Sequence, residues 1–399
     1  MGRLLRYQPF KGLYLVYMLF STAFIRIPWW CIRYIRPQNR PRLSWSLWQA
    51  VLVDLHRQVL FRIVIDIGYT EPPPKVDQEL KDAKAVWIDG LSDNSPAFCG
   101  EVRRAANINH VRPEKVLAFW LFKPGAGVPE DLQAKEDEKV VIHMHSGAFI
   151  MGSGHPENAA AHLSLGLLAH SKSVSRILDV DYRLSAAPPD KPVNPFPAAV
   201  LDSLAAYRYL IHDLGFAPSN ITVIGDSAGG NIALGLVRHL VESRMPDLPP
   251  PGRFVIVSSW LDIFEVHKAQ PDSSHNMNNK SDMLGVSVVY SRNAYLGALG
   301  QDEAEARTNR YVAPGSVPDE LAKGTYVGFP RTYVSAGDAE YIYTDSVVLA
   351  DRMEADGVDV HRDFAKDAVH DYMIFPWFEP ERTKGIKRLA SWLDESDDR

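Results

Sequence analysis

The run Gly225-Asp226-Ser227-Ala228-Gly229, continued by Gly230, is a G-x-S-x-G pattern. An apolar stretch, Ile221-Thr-Val-Ile224, precedes it and a helix-forming stretch, Asn231 to Arg238, follows, so the serine falls on a sharp strand-to-helix turn. That setting suits a nucleophilic hydroxyl. Small neighbours let the chain bend tightly and let a substrate approach the Oγ, and the helix N-terminus behind it favours developing negative charge. Upstream, Val140 to Met144 reads as a strand that ends in His145-Ser146-Gly147-Ala148-Phe149. The backbone amides of Ser146 and Gly147, with that of Ala228, are suited to an oxyanion hole, in which donors aimed at an alkoxide contribute several kcal/mol. His143 and His145 share one face of that strand and invite a reading as a metal pair, but no placed carboxylate or third ligand accompanies them.

A hydroxyl nucleophile needs a base. Where the nucleophile sits on such a turn, the acid and then the histidine follow it along the chain. Of the thirteen histidines, His361 and His370 lie beyond the late acidic candidates. His361 falls inside the expected last strand. His370 sits in Asp367-Ala-Val-His-Asp371, between that strand and the last helix, where an imidazole can swing over the sheet edge, and it is the expected base. The acid has two candidates, Asp338 and Glu340, two residues apart at the end of a strand that starts near Thr332. Either could hold the imidazole tautomer, and local chemistry does not separate them.

The elements that would position these groups alternate. Strand-like runs cover Ala85 to Ile88, Val116 to Phe122, Val140 to Met144, Arg176 to Tyr182, Ile221 to Ile224, Phe254 to Val257, Thr332 to Ser335 and Val358 to Phe364. Helical stretches lie between most of them, notably Ala198 to His212, Ala228 to Ser243, Thr344 to Ala355 and Glu379 to Leu393. That alternation predicts an α/β fold, with a mostly parallel central sheet and helices on both faces. Residues 81–399 are expected to form the catalytic domain. Within it, residues 262–328 are long, polar and poorly periodic, and a connection of that length is usually functional. Its helical portion, around Gly285 to Leu299, is expected to cover the site together with residues 43–80, where apolar positions recur at helical spacing from 45 to 65 before Glu71-Pro-Pro-Pro-Lys75 stops them.

Charge is unevenly spread. Residues 1–42 carry eight bases, Arg3, Arg6, Lys11, Arg26, Arg33, Arg36, Arg40 and Arg42, and the first acid is Asp54. With a net charge of −6 overall, the other 357 residues hold −14, and an acidic body of that kind repels a phosphate backbone, so no nucleic-acid partner is expected. Two cysteines, Cys31 and Cys99, cannot make a disulfide scaffold. Gly12 to Ile25 is an uncharged, largely apolar run of fourteen residues, short of the ~20 that a spanning helix needs. Trp29, Trp30, Tyr7, Tyr14, Tyr17 and Tyr34 beside arginines match a membrane–water interface, so residues 1–42 read as a membrane anchor or interfacial segment. Asn220-Ile-Thr222 and Asn279-Lys-Ser281 are glycosylation acceptors if the domain faces a secretory lumen, and the endoplasmic reticulum membrane is the expected location.

The motifs together resemble the hormone-sensitive-lipase-like family of α/β-hydrolases over roughly residues 115–395. Beside Gly225-Asp-Ser-Ala-Gly-Gly-Asn231, the chain has Asp181-Tyr-Arg-Leu184, Pro195-Phe-Pro-Ala-Ala199, Trp260-Leu-Asp262 and His370 in family order. The family's His-Gly-Gly-Gly appears as His145-Ser146-Gly147-Ala148. Some members carry a glutamate where others have Asp-Pro-Leu, and counting from Pro330 and from Met353 puts Glu340-Tyr341-Ile342 on that element, so the resemblance favours Glu340 over Asp338. It implies a serine carboxylic-ester hydrolase with Ser227, Glu340 and His370 as triad, Ser146, Gly147 and Ala228 as oxyanion donors, and no metal or organic cofactor. The N-terminal segment is similar to that of fungal membrane-associated esterases such as steryl acetyl hydrolases, which implies a small lipophilic, short-acyl ester as substrate. An amidase or formamidase on the same triad, or a ligand-binding receptor on the scaffold, are the rival expectations.

Overall fold

Among the described residues, eight strands make one sheet. They are β1 (Ala83–Ile88), β2 (Val116–Phe122), β3 (Lys139–Met144), β4 (Val174–Asp181), β5 (Ile221–Asp226), β6 (Arg253–Val257), β7 (Arg331–Gly337) and β8 (Val360–Ala365), each overlapping an expected strand. The computed structural model describes residues 4–68, 71–74, 76, 80–284 and 288–396. Lys75 and Gly285, which bounded two of the sequence expectations, lie outside the described residues.

The strand order is β1-β2-β4-β3-β5-β6-β7-β8. The β1/β2 and β2/β4 pairs are antiparallel, and every pair from β4/β3 to β7/β8 is parallel. Strands covered on both faces read as continuous apolar runs rather than alternating ones. Accordingly, every residue of β2, β5 and β6 is buried.

Alternation along the central strands feeds two cores. Val140, Ile142 and Met144 join Trp120, Tyr207 and Phe254 under helices Ala198–Arg208 and Ala228–Ser243. Val141 points the other way, into a cluster with Leu167, Tyr333, Leu389 and Trp392 under helices His162–His170 and Glu381–Leu393. On the first side, Arg176 is held by Glu138 and lies 5.0 Å from the Trp120 ring and 4.8 Å from that of Phe216. The guanidinium is thereby buried with both its charge and its flat faces partnered.

Among the described residues, two of the longer helices escaped the sequence reading. Gly100–Asn109 buries only Val102, Ala105 and Ala106, three small residues that leave little periodic signal. His162–His170 is the opposite case, apolar nearly all round because it is wedged between the sheet and the last helix.

At the N-terminus the helix is longer than the fourteen-residue run. It continues from Phe10 to Tyr34, 25 residues, through Arg26 and Pro28, and is long and apolar enough to cross a membrane. Wide π turns at Thr22–Arg26 precede Pro28, which lies inside this continuous helix, just after the turns change its pitch. One stripe, Met18, Ser21, Thr22 and Tyr34, is buried against the body, while Leu13, Val16, Phe20, Phe24, Trp29 and Ile32 are exposed. Some of the eight bases serve the protein itself. Arg6 pairs with Asp190, Arg40 donates to the carbonyls of Tyr34 and Trp45, and Arg42 donates to Asn278 Oδ1 and to the Asp338 carbonyl.

The next helix starts at Leu47 under a capping box made by Ser46 and Gln49. Residues 262–328 are not a bare loop. They fold into short helices, among them Ser274–Met277, Val289–Leu296 and Glu303–Thr308.

Trp120 has no exposed surface and fills the larger core. Trp120→Ala is expected to cost roughly 3–5 kcal/mol, read as a lower urea midpoint with an unchanged slope.

Candidate active site

The parallel register brings four strand ends level. Met144 faces Gly225, Gly225 faces Ile256, and Val257 faces Ser335. The segments that leave β3, β5, β6 and β7 therefore emerge along one edge, carrying Ser146, Ser227, Ser258 and Glu340.

Ser227 follows β5 directly and has φ +52° and ψ −119°. That is a conformation a side-chain-bearing residue rarely holds, at a cost of about 1–3 kcal/mol. The turn is held from both sides. The Ser227 amide donates to the Val257 carbonyl at 3.0 Å, and the Ser227 carbonyl accepts from the amides of Gly230 at 3.1 Å and Trp260 at 3.0 Å. The glycines are needed for contact. A Cβ on Gly225 would lie 2.3 Å from the Gly229 carbonyl oxygen, and one on Gly229 only 2.0 Å from that of Met144.

His370 arrives from the loop after β8. Its Nε2 lies 2.9 Å from Ser227 Oγ, and its Nδ1 lies 3.4 Å from Glu340 Oε2. With the proton on Nδ1 facing Glu340, Nε2 is free to accept from the serine hydroxyl. Glu340 is fully buried; its other oxygen accepts from Ser258 Oγ at 2.6 Å and from the Gly337 amide. Asp338 points elsewhere, accepting the Asp367 amide at 2.7 Å. His361 lies on β8 with its ring stacked on Tyr333 at 4.9 Å, away from the serine.

Ser146 and Gly147 border the same cavity as Ser227. Gly147 has φ +131°, and a Cβ there would meet the Met151 carbonyl oxygen at 1.9 Å, so this position of the motif admits only glycine. Ala228 opens helix Ala228–Ser243, whose first amides have no partner inside the helix.

The histidine pair on β3 is otherwise engaged. His143 bridges Asp226 at 2.8 Å and Asp179 at 3.2 Å, and Ser164 Oγ donates to Asp179 at 2.6 Å. Burial favours the neutral ring, yet these two carboxylates outweigh it and raise the imidazole to about 10. His145 stacks on Tyr182 at 4.1 Å with its Nδ1 on the Ser146 carbonyl at 2.7 Å. The two rings thus brace the strand ends rather than share a ligand.

Three groups at the site had no role in the sequence reading. Asp371, at φ +50°, puts Oδ2 3.3 Å from His370 Nε2 and leaves Oδ1 buried without a hydrogen bond. Asp282 accepts the amides of His370 and Tyr341, and so ties the histidine loop to the chain after Glu340. Ser258 Oγ stands between Glu340 and the Asp371 amide. Asp371 was visible beside the base in sequence, but nothing local told that it turns inward.

Burial pushes the His370 imidazole down, while Asp371, Glu340 and Asp282 push it up more strongly, so it stands above its ordinary value. Burial also raises Asp371 and Glu340 above the usual carboxylate range, against the pull of His370. Serine, imidazole and carboxylate in this chain of contacts can pass a proton from hydroxyl to ring while the ring's charge is balanced. The cavity before them holds about 980 Å3, its mouth included, and is walled by Ile150, Met151, Trp260, Met283, Ile374 and Phe375, an apolar lining around a few polar groups.

The sheet, with its serine bend at the end of a central strand, is that of an α/β-hydrolase. The chain belongs to the alpha/beta hydrolase fold family, whose model matches residues 141–374. It is an esterase-like enzyme of the hormone-sensitive-lipase kind. An acetyl-hydrolase of Streptomyces hygroscopicus is 27% identical over 256 residues, 64% of this chain and 74% of that one. Esterase LipU of Mycobacterium tuberculosis is 28% identical over 266 residues, 66% and 80% of the two chains. Among solved structures, a hormone-sensitive lipase from a metagenome library matches with a TM-score of 0.52 and 26% identity, over 70% of this chain and 81% of that one. Carboxyl esterase 2 of the fungus Tuber melanosporum shares the fold, with a TM-score of 0.57 at 16% identity, over 82% and 89%.

Asp371 is the largest of the charges that raise His370. Removing it with Asp371→Asn is expected to lower the histidine pKa and move the acid limb of the kcat/KM profile down by roughly one unit. An unmoved limb would mean that Asp371 is already neutral in the working enzyme.

Proposed function

We propose that the protein hydrolyses a small lipophilic ester with a short acyl group, of the sterol or terpenoid acetate kind, at a membrane surface. Ser227 Oγ attacks the ester carbonyl as His370 takes its proton. The amides of Ser146, Gly147 and Ala228 hold the tetrahedral oxyanion, and His370 then returns the proton to the departing alcohol. Water repeats the sequence on the acyl-enzyme. Glu340 keeps the imidazole oriented and stabilises its charged form throughout.

The observation that carries the reading is the 2.9 Å contact between Ser227 Oγ and His370 Nε2 at the floor of an apolar cavity. A receptor built on the scaffold has no use for that contact, and it favours catalysis. Ser227→Ala is expected to abolish labelling by a fluorophosphonate probe and to lower kcat by at least ~10^4, with Glu340→Ala costing less. Matched ester and amide substrates then separate the ester reading from the amidase one: preference for the amide overturns it.

The exposed apolar face of helix Phe10–Tyr34, with aromatic residues and arginines along it, supports seating in the interfacial layer or across the bilayer. Glu265, His275, Met283, Leu284, Val288 and Ser291 of the 262–328 segment line the cavity, and helix Leu47–His56 ends against its wall, as lid segments would. Arg57 donates to the Asp282 carbonyl, and His56 packs edge-on against Phe375 of the cavity wall. The endoplasmic reticulum membrane fits these features, and Asn279 is exposed as a glycan acceptor must be, while Asn220 is half-buried. Phe20→Glu with Phe24→Glu, both on the exposed face, should weaken sedimentation with lipid vesicles at least about tenfold while leaving hydrolysis of a water-soluble short ester intact. Turnover of acetylated lipid in micelles should fall with it. Equal turnover by both proteins would sink the membrane assignment.

A further inference from the structure

Beside the cavity, a second cluster is assembled from residues that the hydrolytic reaction leaves unused. Asp262 and His267 lie on the chain leaving β6, His275 lies on the short helix Ser274–Met277, and Asp345 lies on helix Tyr343–Ala355 that follows Glu340. Asp262 and Asp345 are fully buried, and His275 is 1% exposed.

One donor atom from each of Asp262, His275 and Asp345 lies within 4.8 Å of the others. His267 Nδ1 lies 3.0 Å from Asp262 Oδ2 and 3.9 Å from Asp345 Oδ1. Several donors in this group are unspent. Both ring nitrogens of His275 and Oδ1 of Asp345 are buried with no hydrogen-bond partner. Asp345 Oδ2 is meanwhile fixed by the amides of Leu261 at 2.9 Å and Asp262 at 2.7 Å, and Asp262 is fixed by Ser316 Oγ and the His267 amide.

Buried polar atoms without partners cost about 1–3 kcal/mol each, and two buried carboxylates at this spacing repel. His267 could offset one negative charge, but it leaves both nitrogens of His275 idle. A divalent cation would take one of those nitrogens together with the free oxygen of Asp345, and would offset the negative charge of both carboxylates. Asp262, His275 and Asp345 offer two carboxylates and an imidazole, donors that zinc accepts, and His267, held on Asp262, is the fourth ligand once it turns in; ligand distances of about 2.0–2.2 Å require all four donors to draw together from the spacing they have without the ion. Calcium and magnesium prefer oxygen donors throughout and would not use the rings.

We propose that Asp262, His267, His275 and Asp345 bind one zinc ion, a structural site distinct from the Ser227 centre. The ion ties the chain after β6 to the helix after Glu340. His275 and its neighbour Glu265 face the cavity, so the same ion fixes one wall of the substrate pocket. It takes no part in the attack on the ester.

The test uses the untagged full-length protein, stripped with a chelator and then dialysed against Zn2+. Elemental analysis should return one zinc per chain, the melting temperature should rise with Zn2+ and not with Mg2+ or Ca2+, and Co2+ in its place should give the visible absorption of a tetrahedral ion. His275→Gln and Asp345→Asn should each weaken zinc binding more than about a hundredfold, beyond the ten- to hundredfold lost with an outer partner. Ser227→Ala should bind like wild type, which separates this site from the catalytic histidine. Wild-type protein that retains no zinc and melts at the same temperature with or without it overturns the proposal, as does zinc binding that survives both ligand substitutions. If those variants fail to fold, the zinc-dependent melting and cobalt spectrum of wild type decide alone.

Discussion

The whole site depends on one backbone conformation, the bend at Ser227. A residue with a Cβ held at φ +52° is strained by about 1–3 kcal/mol, and such strain persists only where its surroundings over-determine it. They do so here through contact at main-chain distance. Gly229 runs so close to the end of β3 that it leaves no room for a methyl group against the Met144 carbonyl, and Gly230 crowds the Ser259 side chain in the same way. Beneath the bend, Asp226 is pinned through His143 to Asp179, so three adjacent strands share one buried polar bridge. That bridge is why His143 is structural: its charge partners are supplied by the sheet itself. His145 is braced separately, by the Tyr182 ring and the Ser146 carbonyl.

In the proposed mechanism the serine on that bend needs a base placed with equal care, and His370 sits on a loop. Its position is set by amides as much as by its ring. Asp282 accepts the His370 and Tyr341 amides together, and Ser258 links the Glu340 carboxylate to the Asp371 amide. Both supports come from chain outside β7 and β8, so the loop after β8 is held by segments that follow β6. The cost is a concentration of buried acids, Glu340, Asp371 and Asp282, around one imidazole. Each such carboxyl resists ionisation by burial, and each that does ionise stabilises the charged ring, so their protons must be shared as a set.

Much of this was legible because strand, bend and helix leave strong local marks. The eight strands carry long β-branched and aromatic runs, and a serine between small residues at a strand end has few other uses. The choice between Asp338 and Glu340 was not local, because both follow the same strand; only the turn at Gly337, whose amide caps Glu340, swings the longer side chain toward His370 while Asp338 faces Asp367. The inward turn of Asp371 was equally hidden, since it follows from a positive φ that no residue type announces. Length misled at the N-terminus. Arg26 and Pro28 look like the end of an apolar run, yet the π turns before them carry the helix on to Tyr34.

The basic character of the first 42 residues also divides into two physical jobs that composition alone merges. Arg26 and Arg33 stay with the exposed apolar helix. Arg42 reaches into the body, where it donates to Asn278 and to the Asp338 carbonyl, and it lies 3.8 Å from Asp367. Trp45 adds a second tie, its indole N–H donating to the Asp367 carbonyl at 2.7 Å. Asp338 and Asp367 are the residues that lead into Glu340 and His370. The N-terminal segment is therefore fastened to the two loops that carry Glu340 and His370, and the contacts that hold it there are polar ones to main-chain carbonyls rather than apolar packing alone.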